Sequence, residues 1–144
     1  MEKMKVLFAA GVGILAAYLE KYYLLYILVA VAVMMDLVSG MAAAVVSGQG
    51  LSSKVARNGF VKKMMMLFAV GFGTFLDVLL PYATGTLGIE LETGLLFSAV
   101  ISVYICIGES ISIMENIYRA TGKQPPALIR KLLEQAKEKI DGEY

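Results

Sequence analysis

Residues 94–118 read GLLFSAVISVYICIGESISIMENIY, an apolar run with Glu109, Glu115 and Asn116 set inside it. Crossing the hydrocarbon core of a bilayer takes about 20 residues of α-helix, and this run is long enough. Glu90 and Glu92 precede it and Arg119 follows it. Charges at membrane depth are costly and persist only where they face protein, water or a partner. The run therefore reads as a transmembrane helix whose polar residues have a task.

The rest of the chain fits that reading. Of 144 residues, 58% are hydrophobic and 17% charged, and mean hydropathy is +0.72. Soluble domains are about 45–50% apolar and about 25% charged, so this chain has too few charges to coat a soluble globule. Three further apolar segments precede the last one, at about 6–19, 22–46 and 64–83. The first is short and ends at Glu20-Lys21. Lys3 and Lys5 ahead of an apolar run suggest a leader peptide, but no small-x-small cleavage site closes it. A short helix is expected there instead, either spanning or lying in the interface. The expected fold is an all-α integral membrane protein with three to four transmembrane helices and a short amphipathic C-terminal helix. Residues 1–122 form the membrane-embedded domain and 123–144 a cytoplasmic amphipathic tail.

Several function classes drop out at once. The absence of histidine removes the Ser-His-Asp and Cys-His nucleophilic sites and the usual zinc ligands. Cys106 is the single cysteine and reads as a small buried hydrophobe. No enzyme activity, metal, cofactor or nucleic-acid partner is expected.

Loop charges set the orientation. The connection 47–63 carries Lys54, Arg57, Lys62 and Lys63 and no acid, whereas 81–93 carries Glu90 and Glu92 and no base. The tail adds Arg119, Lys123, Arg130, Lys131, Lys137 and Lys139. Positively charged loops stay in the cytoplasm, so the basic loop and the C-terminus are expected inside and 81–93 outside.

Helix faces carry the remaining signal. In the last segment Ser98, Ser102, Glu109, Ser112 and Asn116 share one face, with Glu115 on another side. In the second, Asp36 shares its face with Ser39, Gly40, Ala43 and Ser47. These residues form a polar seam that either faces another copy or a pore, or is satisfied inside one chain by Ser, Asn or Lys neighbours. A protonated carboxyl donating a hydrogen bond across helices is one way to meet the cost. Small residues such as Gly13, Ala43, Ala44 and Gly73 recur at four-residue spacing and allow close helix packing in lipid. Asp77 is expected to reach the headgroup region, and Glu115 to pair with Arg119 at i,i+4.

After Gly122 the character changes. Pro125-Pro126 blocks continuation and favours a new helix start. Leu128, Leu132, Ala136 and Ile140, widened by Ile129 and Leu133, then line one face opposite Arg130, Lys131, Glu134, Lys137 and Glu138. Such a helix suits the membrane surface or self-association equally.

Taken in order, four blocks resemble the small phage holins of the toxin-secretion/phage-lysis holin family. Asp36-Leu-Val-Ser-Gly40 is similar to the family's Asp-x-x-Thr/Ser-Gly element. Leu51-Ser-Ser-Lys54 through Gly59-Phe-Val-Lys62-Lys63 is similar to its Ser-Ser, Gly and Lys-Lys loop. Leu76-Asp77 resembles its late acid, and Glu109-Ser-Ile-Ser-Ile-Met-Glu115-Asn116 its Glu-x-x-Ser-Ile-x-Glu-Asn element, with Gly122 and Pro125-Pro126 as the exit. The blocks span roughly residues 30–130, and the last is the most specific. The resemblance implies a holin that oligomerises in the bacterial cytoplasmic membrane and opens lesions releasing endolysin or a toxin. It implies as partners the bilayer, further copies of the chain and an antiholin, and it carries no catalytic residue. An antiholin or non-lytic membrane scaffold is the main alternative, followed by a small transporter or channel subunit.

Overall fold

The computed structural model describes residues 2–50, 52–123 and 126–142. Four α-helices account for nearly all of them: α1 (Glu2–Val46), α2 (Ser53–Thr86), α3 (Leu96–Thr121) and α4 (Ala127–Asp141). Within them, Tyr22–Val46, Ala56–Thr86 and Leu96–Thr121 are long and apolar enough to cross a membrane.

Two boundaries differ from the sequence reading. The segments 6–19 and 22–46 are one continuous helix, at 1.5 Å per residue about 67 Å long. Glu20-Lys21 marks a change in polarity, but glutamate and lysine are good helix formers and neither Gly nor Pro stands beside them. The basic loop is also shorter than expected. Helix α2 starts at Ser53, so Lys54, Arg57, Lys62 and Lys63 are helical. The turn before it uses Gly48 and Gly50, both at positive φ (+70° and +67°), which side-chain-bearing residues rarely adopt.

The remaining ends follow the sequence. Gly122 closes α3 in the left-handed conformation (φ +68°), its N–H donating to the Tyr118 carbonyl. Pro126 caps the start of α4; Pro125 and the Ile140 side chain lie outside the described residues.

Cross-helix pairs fix the topology. Tyr26 meets Thr74 and Asp36 meets Lys63, so α1 and α2 are antiparallel. Asp77 meets Ser98 and Lys63 meets Glu109, so α2 and α3 are antiparallel too. Helices α1 and α3 therefore run the same way, and they form the most extensive contact in the fold. Helix α4 folds back against α3.

The buried core is small: Val29 and Val33 of α1, Val70 of α2 and Ile105 of α3, with Tyr26, Met66, Leu67, Ile101 and Cys106 packed around it. Large apolar side chains face outward on every long helix, among them Val31, Phe68, Phe72, Phe75 and Val100. In water this would be untenable; in lipid it costs nothing, and the helices must be held by close packing and polar contacts instead.

Gly73 shows the close packing. A β-carbon there would lie 2.8 Å from Ile101 Cδ1 and 3.0 Å from the Ser98 backbone, so α2 and α3 touch at a point that only glycine permits. Gly73→Ala is expected to push the helices apart and destabilise the fold by about 1–3 kcal/mol. Unfolding in mild detergent, followed by circular dichroism, measures this. An unchanged midpoint would mean the contact is slack.

Candidate functional site

Along α1, Asp36 lies ten residues before Val46, and along α2, Lys63 lies ten residues after Ser53. Antiparallel packing brings these positions to one level, about 15 Å from the shared helix ends. Glu109 of α3 arrives at the same level from the third side. The Lys63 ammonium lies 2.7 Å from Asp36 Oδ2 and is also in direct contact with Glu109 Oε2. One cation thus ties two carboxylates from two different helices, and the Glu109 side chain is almost wholly buried.

The network continues toward the helix ends. Asn116 Nδ2 donates to Asp36 Oδ1 and to Ser39 Oγ, both at 3.1 Å. Its amide sits directly over Gly40, where a β-carbon would stand 3.4 Å from Nδ2. Arg119 Nη2 donates to Asn116 Oδ1 at 2.9 Å. Arginine 119 therefore turns to Asn116, three residues back, instead of to Glu115. The donors that the two carboxylates meet are a lysine and an amide.

A second polar contact closes the other end of the α2–α3 pair. Pro81 lies inside α2 and has no N–H, so the Asp77 carbonyl four residues back lacks its helical donor. Thr93 Oγ1 supplies one at 2.9 Å. The Asp77 side chain meanwhile accepts from the Phe97 N–H (2.8 Å), the Ser98 N–H (2.9 Å) and the Ser98 hydroxyl (2.6 Å). The two N–H groups belong to the second and third residues of α3, in the first turn that a helix start leaves unpaired, and Leu95 at the cap offers no side-chain acceptor. Asp77 caps α3 from the neighbouring helix. It is buried at 4% exposure and does not reach outward to headgroups.

The sequence-derived residues therefore divide. Asp36, Ser39, Gly40, Glu109 and Asn116 come together around Lys63, while Ser98 joins Asp77. Ser102 is buried on the same face of α3, and its hydroxyl has no hydrogen-bond partner among the described residues. Ser112 lines a cavity beside Glu109. Asp36, Ser39, Ser98, Glu109 and Asn116 make contacts to the chain's own neighbouring helices. Lys54, Arg57 and Lys62 are exposed. Ala43 is fully buried, Ala44 half-buried, and a β-carbon at Gly13 would meet nothing within 4 Å. The roles of Lys63 and Asp77 escaped the sequence reading, although Lys63, Val70, Thr74 and Asp77 share one face of α2. On α4, Arg130 Nε donates to Glu134 Oε1 at 2.8 Å, and this bond pushes the exposed guanidinium's pKa up.

The network can hold three helices in register. No group of His, Cys, Asp or Glu among the described residues is placed to hold a metal ion.

The sequence matches the bacteriophage holin family over residues 13–138, a span that contains every residue of the network. The chain belongs to that family. Bacteriophage holins are generally not enzymes. No curated protein and no solved structure matches the chain. With its three apolar helices, this holin-family chain is a multi-pass membrane protein.

Proposed function

We propose that this chain acts as a holin: it accumulates in the bacterial cytoplasmic membrane, self-associates and opens lesions that release phage endolysin, or in some settings a toxin. The observation that carries this reading is the closed interior of the single chain. Val29, Val33, Val70 and Ile105 fill the space between the three helices, and the Asp36–Lys63–Glu109 group fills the level beside them. A bundle of this size leaves no passage for a folded enzyme, so a hole must be built from many copies. The seam then holds each copy together, and the outward apolar faces are where copies meet.

Charge placement supports an orientation. Helix order puts the end of α1, the start of α2 and the end of α3 together, and that end carries Lys54, Arg57, Arg119 and Lys123. The opposite end carries Glu90 and Glu92. By the positive-inside rule this favours a cytoplasmic C-terminus, and with three spans the first residues of α1 would then lie on the outer side.

Expressing the chain alone in bacteria, with a folded cytoplasmic enzyme as marker, tests the proposal. Abrupt loss of membrane potential together with release of the marker is expected. Continued growth with the chain present in the membrane would instead identify an antiholin or scaffold. Loss of potential with the marker retained would identify a small channel.

A further inference from the structure

Where α2, α3 and α4 meet, a cavity of about 480 Å³ opens on the flank of the bundle. Its walls are apolar: Met65, Met66 and Ala69 from α2, and Ile101, Tyr104 and Ile105 from α3. Two exposed lysines edge it, Lys62 from α2 and Lys137 from α4. Neither has an ion-pair partner among the described residues. The one carboxylate in the wall, Glu109, is already bound to Lys63. The docking of α4 on α3 is what brings Lys137 to a site whose other residues lie far away in the sequence.

We propose that this cavity binds an anionic phospholipid, its phosphate between Lys62 and Lys137 and the upper part of an acyl chain against the methionines and isoleucines. The volume falls within the roughly 300–1,000 Å³ of small-molecule pockets. Basic pockets between transmembrane helices are suited to anionic headgroups. A free phosphate would use the lysines and leave the apolar walls uncovered. A helix from another copy would cover the walls and strip water from two unpaired ammonium groups, which is costly. A phospholipid satisfies both parts. Such a lipid would also fasten α4 to the bundle, since one of its two charge contacts comes from that helix.

The test is native mass spectrometry of the full chain in detergent with equal amounts of phosphatidylglycerol and phosphatidylcholine. Phosphatidylglycerol should remain bound under activation that strips phosphatidylcholine. Lys62→Gln with Lys137→Gln should lower that retention roughly tenfold or more, while Lys62→Arg with Lys137→Arg preserves it. Lys137→Gln alone, on a helix outside the spans, should lower it without disturbing the bundle. Ala69→Phe should also reduce retention, because it fills the apolar wall and leaves the charges in place. Equal retention of the two lipids by the unmodified chain would overturn the proposal. So would undiminished retention in both glutamine variants, or full displacement of the lipid by equimolar inorganic phosphate.

Discussion

Lys63→Met is expected to be the most damaging single substitution in the chain, costing about 3–5 kcal/mol. The lysine is the cation shared by Asp36 and Glu109. Removing one member of a buried ion group leaves uncompensated charge, which costs far more than the intact group contributes. Here two carboxylates from different helices would face each other with no cation between them. The chain should fail to accumulate in the membrane, or should unfold at much lower denaturant in detergent. Compensation distinguishes this account from simple loss of packing. Adding Asp36→Asn and Glu109→Gln to Lys63→Met removes every charge and should restore most of the lost stability. A triple variant as unstable as Lys63→Met would show that the ion group is not what joins the helices.

Asp77→Ala is expected to cost about 2–3 kcal/mol. It withdraws the acceptor from the Phe97 and Ser98 N–H groups at the start of α3. The Ser98 hydroxyl can still turn to the Leu95 carbonyl at 3.2 Å, but the two amides have no such alternative in the helix. Asp77→Asn keeps an acceptor and should lose about half as much. Cleavage of the 87–95 connection by protease, compared with Glu90→Ala as an exposed control, reads the effect directly. Equal cleavage of Asp77→Ala and the control would remove the cap from the account.

Much of this fold is legible in the sequence because lipid imposes a simple rule. Three apolar segments of sufficient length survive as membrane-capable helices, and Gly122 ends α3 where its composition changes. Charge misleads where it marks a change in polarity without breaking a helix. Glu20-Lys21 reads as a boundary, yet α1 runs through it. Likewise Lys62-Lys63 reads as loop because lysines are rare at membrane depth, yet α2 begins ten residues earlier.

The site is partly legible for the same reason. Asp36, Glu109 and Asn116 stand out as costly residues with a shared purpose, and spacing puts Ser39 and Gly40 beside them. Their partner is harder to find, since pairing Asp36 with Lys63 requires the register of α1 against α2. That register is set by Val29, Val33, Val70 and the Tyr26–Thr74 bond, none of which is distinctive alone. Asp77 is obscured differently. The side chain's role as a cap depends on α3 starting beside it, which is a tertiary fact.

On the proposed function, the seam is internal to each copy and copies meet through their outer apolar faces. Cysteine cross-linking in membranes tests it most directly, in a Cys106→Ser background with Ser102→Cys, Phe68→Cys or Phe75→Cys introduced singly. Phe68 and Phe75 are more than half exposed, whereas Ser102 is 2% exposed. Dimers and larger products are expected from the two outer positions and none from position 102. Efficient cross-linking from position 102, with the outer positions silent, would contradict the account.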